Sequence, residues 1–153
     1  MTLEALFKGR MMDISGMMAR LRKAAEAEGL PFGDRNMTYN SRLAQELGKW
    51  AEEQGKIEAY NNAVFQAYFA QGLNIGSRNT LVEVAGSVDF DEDEARKVLQ
   101  ERRYDNAVDA DWNRSRLMGI KAVPTFVMDD RMLVGAQPYA VLEEFVNAGK
   151  GSS

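Results

Sequence analysis

The sequence contains no cysteine and no histidine among its 153 residues. Without cysteine there is no disulfide, no thiolate nucleophile and no Cys/His zinc site. Without histidine there is no imidazole base for a Ser-His-Asp arrangement. Any catalysis by these residues must use carboxylates, lysine or tyrosine, or a group supplied from outside, and we predict no metal and no cofactor.

Long apolar runs and an excess of positive charge are also missing. The apolar runs are far shorter than the roughly 20 residues that a membrane span needs. The opening stretch MTLEALFKGRMMDISG lacks the charged-then-apolar layout of a secretory signal. The net charge of −4 gives no basic footprint for nucleic acid. We therefore expect a cytoplasmic protein that binds neither nucleic acid nor membrane.

What is present favours helices over most of the chain. Apolar residues recur at helical spacing, and the predicted helices cover about 3–7, 13–28, 41–55, 57–72, 81–88, 91–103 and 104–118. Because their connections are short, they predict an all-helical subdomain over residues 1–118.

The acidic run DFDEDE, residues 89–94, has two interpretations. Asp89, Asp91 and Asp93 have the first spacings of a calcium-binding loop, but Glu94 replaces its glycine and Gln100 its final glutamate. Asp91 followed three residues later by Glu94 is typical of a capping box at a helix start. The second interpretation is the stronger.

Two clusters of apolar side chains admit a binding role. The first is four methionines, which suit a soft-metal or adaptable binding surface: Met11, Met12, Met17 and Met18. The second is four aromatics, which suit a ligand cleft: Tyr60, Phe65, Tyr68 and Phe69. The helical spacing of Met17, Met18 and most of the aromatics favours packing in the core instead.

The pattern changes at Gly119. Residues 124–128 (PTFVM) and 132–134 (MLV) are rich in β-forming residues, with a polar turn at 129–131 between them, and predict a β-hairpin. Both runs are apolar on successive residues, so we expect strands covered on both faces. Pro138 suits the start of a last helix, whose predicted inner side is Val141, Leu142, Phe145 and Val146. We predict a second domain over residues 119–148 and a disordered tail over 149–153.

The stretch GIKAVPTFVMDDRMLVGAQPYAVLEEF resembles the C-terminal part of DsbA-like thioredoxin-fold proteins. The helical region, with its LNIG loop, resembles the inserted helical domain of the FrnE-type branch. That branch is related to kappa-class glutathione transferases and 2-hydroxychromene-2-carboxylate isomerases. The likeness runs from about Leu3 to Val146. It implies a mainly α fold with a small β part: a helical insertion domain, then the C-terminal β-hairpin and helix of an incomplete thioredoxin-like fold.

The resemblance also implies two substrate-binding residues. In the family, the proline at the position of Pro124 is cis and faces the redox motif. The backbone at the position of Val123 pairs with an extended peptide or with glutathione. Gly135, Ala136 and Gln137 would form the tight connection from the last strand to the last helix. No residue of this chain is implied to be catalytic.

The sequence departs from the family pattern where the chemistry should lie. Family members begin with a strand, a CxxC-type motif (or a serine) at a helix N-terminus, and a second strand, roughly 30 or more residues that are missing here. We therefore expect a truncated thiol–disulfide oxidoreductase relative that is redox-inactive as given. The alternatives are a non-catalytic dimeric module that binds a peptide or partner, and a fragment of a glutathione-dependent isomerase or transferase. We expect a homodimer through the hairpin, whose apolar face and open edge need cover.

Overall fold

A computed structural model describes residues 1–6, 8 and 13–148. Within this part the chain forms the helices α1 (Leu3–Leu6), α2 (Ile14–Ala27), α3 (Arg42–Glu53), α4 (Ile57–Phe65), α5 (Arg78–Gly86), α6 (Glu92–Glu101), α7 (Asp105–Leu117) and α8 (Tyr139–Asn147). A π-helix (Gln66–Ala70) continues α4, and two strands, β1 (Thr125–Met128) and β2 (Arg131–Val134), precede α8. The predicted fold class, mainly α with a small β part, is confirmed. Phe7, Met11, Met12 and the predicted tail at 149–153 lie outside the described residues.

The chain divides into two compact units, the first ending at Val108 and the second beginning at Asp109. The domain division that the sequence suggests after residue 118 stays a prediction. No helix in the described ranges combines the length and the apolar character that crossing a membrane requires.

The first unit has its core between α3, α4, α5 and α6. Leu47, Leu81 and Leu99 are fully buried there, each on the apolar stripe of its helix. The Trp50 and Phe90 rings lie 4.6 Å apart between centroids. The buried Tyr60 hydroxyl donates a hydrogen bond to the carbonyl oxygen of Ala44 at 3.1 Å, and burial raises the pKa of that hydroxyl. The four helices of this core lie in segments that helical spacing predicted as helices.

Helix α6 starts as its sequence predicts. The Asp91 carboxylate accepts a hydrogen bond from the backbone N–H of Glu94 at 2.7 Å, which satisfies one of the free donors of the first turn. The Glu94 side chain accepts instead from Arg103, at 2.6 Å. Asp91 is therefore a helix cap.

Helix α2 differs from its prediction in packing. Its apolar stripe is present, yet no residue of the helix is buried. Leu21 is 46% exposed, and Met17 and Met18 are only half-buried. The prediction that these methionines fill the core is wrong, because periodicity shows which face of a helix is apolar but not whether anything covers it.

The second unit contains an antiparallel hairpin. Thr125 lies opposite Val134 and Met128 opposite Arg131, so the turn is Asp129-Asp130 and Arg131 belongs to β2. Asp129 has a φ of 54°, a conformation that aspartate tolerates better than most residues. The predicted hairpin is confirmed, with a turn one residue shorter.

Neither face of the hairpin is fully covered. Thr125, Met132 and Val134 share one face, and Phe126 and Leu133 share the other. Met132 and Val134 are exposed on the first face and Phe126 on the second, whereas Thr125 and Leu133 are half-buried. The expectation of cover on both faces is wrong for the described residues. The predicted inner side of α8 is also only partly covered, since no residue of that helix is buried.

Candidate functional site

Both residues implied as substrate-binding lie in the short segment between α7 and β1. Gly119, with a φ of 72°, ends the last turn of α7. Residues 121–124 that follow are exposed, and Val123 is 90% exposed. The peptide bond between Val123 and Pro124 is cis. The segment is therefore accessible in this unit.

Hydrogen bonds on either side hold this segment in place. The Thr125 hydroxyl donates to the carbonyl oxygen of Ala122 at 2.7 Å, closing a turn around the intervening pair. The backbone N–H of Gly135 donates to the carbonyl oxygen of Pro124 at 2.8 Å. The second bond extends the hairpin ladder by one step, so Pro124 is anchored to the strand beside it.

The main chain of Val123 is left without a partner. Among the described residues, none donates to its carbonyl oxygen or accepts from its N–H. Strand β1 is paired with β2 on one side only, so its other edge is open as well. An extended peptide can add to such an edge through main-chain hydrogen bonds. The geometry suits docking of a peptide backbone.

The far end of the hairpin is fixed by a tight connection to α8. Gly135 has a φ of 91°, which favours glycine. The Gln137 side-chain amide donates to the carbonyl oxygen of Val134 at 2.8 Å. In the same unit the Arg131 guanidinium lies 5.0 Å from the centre of the Phe145 ring, which links β2 to α8.

A buried carboxylate with a shifted pKa lies in the first unit, and sequence reasoning did not single it out. Glu46 on α3 is 1% exposed. It accepts hydrogen bonds from Arg42 at 2.7 Å and from Arg102 at 2.6 and 2.5 Å. Burial raises the pKa of Glu46, but the hydrogen bonds and charges of Arg102 and Arg42 outweigh it and lower the pKa from 4.5. The pairing with Arg42 could have been predicted, because the two residues are four positions apart on one helix. The pairing with Arg102 could not, because Arg102 is distant in the sequence.

This cluster is structural. A carboxylate with a perturbed pKa is a functional candidate only where it can meet a substrate, and the Glu46 oxygens already accept from two guanidinium groups. Arg102 ends α6 in the left-handed conformation, with a φ of 51°, while its side chain reaches α3. Arg42 also donates to the carbonyl oxygen of Asp105 at 2.7 Å. The cluster therefore ties three helix ends together.

The aromatic cluster is divided between core and surface. Tyr60 is buried and Tyr68 half-buried, whereas Phe65 is 56% and Phe69 37% exposed. Core packing, the interpretation that spacing favoured, is therefore wrong for Phe65 and Phe69. These two rings line a cleft of about 390 Å³.

Comparison with known proteins identifies the family. The model of the DSBA-like thioredoxin domain matches residues 7–147. The chain belongs to this family. It is 33% identical over 111 residues to the uncharacterized protein YwbO of Bacillus subtilis (strain 168), a match that covers 69% of this chain and 53% of that protein. The chain thus spans about half the length of this curated relative.

Solved structures agree with this assignment. The crystal structure of a probable DsbA oxidoreductase from Streptomyces coelicolor superposes with a TM-score of 0.85 and 28% identity, over 98% of this chain and 67% of that one. A 2-hydroxychromene-2-carboxylate isomerase superposes with a TM-score of 0.78 and 20% identity, over 90% of this chain and 67% of that one. The likeness to the isomerase shows the fold alone. The resemblance read from the sequence is confirmed.

Proposed function

We propose that this chain is the substrate-facing, non-catalytic part of a DsbA-like thiol–disulfide oxidoreductase, truncated with respect to its redox motif. Thiol–disulfide exchange requires a thiolate that attacks a disulfide sulfur, and the chain has no cysteine. It is therefore redox-inactive alone. The thiolate would have to come from polypeptide outside these 153 residues.

The main observation behind the docking role is that Val123 is exposed and that its main-chain N–H and carbonyl have no partner within the part of the chain that the structure describes. An extended substrate would pair its backbone with Val123 and continue along the open edge of β1. Main-chain pairing gives affinity with little dependence on sequence. Such a wall suits a protein that holds many unfolded substrates in one orientation.

Replacing Val123 with proline should weaken peptide binding about tenfold, because proline removes the donor N–H and disturbs the neighbouring acceptor. Val123→Ala keeps the main chain and is the matched control, for which we expect affinity within about twofold of wild type. Fluorescence anisotropy with a labelled, carboxymethylated insulin B chain measures the affinity. Equal affinities of the two variants, or no binding by the wild-type chain at millimolar concentration, would exclude peptide docking at Val123.

We also propose that two copies associate through the hairpin. Apolar side chains are exposed on both of its faces, Met132 and Val134 on one and Phe126 on the other, and each of its strands has one unpaired edge within the described residues. A two-stranded hairpin is only marginally stable alone, and open apolar edges invite pairing with another strand. A second copy offers the same faces and the same edges. The second copy would bury the exposed apolar side chains of the hairpin, but it contains no cysteine either. The dimer is therefore a non-catalytic module.

A further inference from the structure

A concave site lies in the first unit. The end of α2 and the loop after it form one side, and α4 and the π-helix form the other. This aromatic cleft has a volume of about 390 Å³. The side chains that give it its character are Leu30, Phe32, Phe65 and Phe69, with the carboxamides of Asn62 and Gln66. Its size falls in the range of small-molecule sites, roughly 300–1,000 Å³.

Three phenylalanine rings form a continuous apolar wall in the aromatic cleft. The centroids of Phe32 and Phe69 are 6.2 Å apart with the rings 25° from parallel. Those of Phe65 and Phe69 are 6.1 Å apart at 51°. Exposed apolar side chains scattered singly are ordinary, whereas a contiguous exposed group marks a binding surface.

The ring of Phe69 is held by a residue that does not line the aromatic cleft. The Arg35 guanidinium lies 5.1 Å from the centre of the Phe69 ring and 4.2 Å from that of Tyr68. Its buried Nε and Nη1 have no hydrogen-bond partner within the described residues, so stacking on these rings is the main contact of the guanidinium. This contact restrains Phe69 without occupying the cleft.

The backbone beside Phe69 is fixed as well. It lies in the π-helix Gln66–Ala70, a rare local geometry that is frequent at functional sites. The N–H of Gly33 donates to the carbonyl oxygen of Phe69 at 2.9 Å. A Cβ on Gly33 would come within 2.1 Å of the carbonyl oxygen of Ala70, so this close approach requires glycine. The site is preformed.

We propose that the aromatic cleft binds an uncharged, flat, largely apolar small molecule. No charged side chain is among the described residues that line it, so an ion would lose its hydration without compensation. The rings offer faces for stacking. Asn62 and Gln66 offer donors and acceptors for a single polar group on the ligand. This role is separate from peptide docking at Val123.

Titration with N-phenyl-1-naphthylamine, a neutral two-part aromatic probe whose fluorescence rises in apolar surroundings, tests the proposal. We expect saturable binding at one site per chain. Phe69→Ser should weaken it about tenfold, because a stacking wall is lost. Tyr139→Ser is the matched control: Tyr139 is an exposed aromatic side chain at the start of α8 and does not line the cleft, and the control should bind within about twofold of wild type.

A second variant keeps the test decisive if Phe69→Ser fails to fold. Asn62 is exposed on α4. In Asn62→Trp the larger side chain should occupy the cleft from its solvent side and weaken binding of the probe about tenfold. Unsaturable binding, or loss of binding in Tyr139→Ser but not in Asn62→Trp, would overturn the proposal. Sedimentation velocity provides a further check. A dimer that is lost in Asn62→Trp but is unaffected by the probe would also overturn the proposal, because a second copy of the chain would then occupy the cleft.

Discussion

Replacing Glu46 with glutamine is expected to lower the free energy of unfolding by about 3 kcal/mol at pH 7. The amide cannot accept from both guanidinium groups as the carboxylate does. Arg42 and Arg102 then lose the carboxylate that they share. Arg102 is partly exposed and can be hydrated again. The expected loss of stability is therefore at the lower end of the range of about 3–5 kcal/mol for breaking a buried ion pair. Urea unfolding followed by far-UV circular dichroism measures it.

The matched control is Glu52→Gln on the same helix. Glu52 pairs with Lys49 at 3.1 Å in solvent, and exposed pairs contribute about 0–1 kcal/mol. If Glu46→Gln and Glu52→Gln unfold at the same urea concentration, the Glu46 cluster does not stabilise the fold as we argue.

The pH dependence has a definite sign. The pKa of Glu46 is lowered in the folded chain from 4.5, so the unfolded chain binds its proton more readily. The stabilisation is complete above 4.5 and is lost as the pH falls through the lowered folded value. The difference between wild type and Glu46→Gln should therefore shrink as the solution is acidified. A difference that grows below pH 4.5 would contradict the direction of the shift.

Replacing Val134 with lysine is expected to weaken self-association about a hundredfold or more. Val134 is exposed on the hairpin face that it shares with the exposed Met132, and a charge buried at an apolar interface is strongly unfavourable. In a symmetric dimer each substitution occurs twice, which multiplies its effect. Sedimentation velocity over a range of concentrations should show a monomer–dimer equilibrium for the wild-type chain and a monomer for Val134→Lys.

Leu117→Lys serves as the control for the hairpin. Leu117 is the most exposed leucine, at the end of α7, and its replacement adds the same charge outside the hairpin. It should leave the dimer intact. A wild-type chain that is monomeric at high concentration, or a dimer that survives Val134→Lys, would exclude association through this face.

The sequence predicted the local structure well wherever local rules apply. Asp91 caps α6 through the contact that its spacing to Glu94 indicates. Leu47, Leu81 and Leu99 are buried in segments that periodicity assigned to helices. Val123 and Pro124 could be found only through the family resemblance, because a lone dipeptide has no periodicity of its own.

What the sequence did not predict depends on contacts between distant segments. Phe65 has the spacing of a core residue, but the change from α4 to the π-helix alters which side chains follow the core face. Arg102 reaches Glu46 from 56 residues away, a distance over which no local pattern operates. The apolar faces of α2 and of the hairpin are correctly recognised as apolar, yet only the structure shows that they are uncovered within each unit.

Insulin reduction is the most direct test of the central claim, that this chain contributes a docking wall without redox chemistry. The precipitation of insulin B chain by dithiothreitol is followed as turbidity with and without the chain, and a CxxC-containing DsbA-like protein is the positive control. Because no thiolate is available, the expected rate with the chain equals the rate without it. Acceleration that grows with the concentration of the purified chain would contradict the claim.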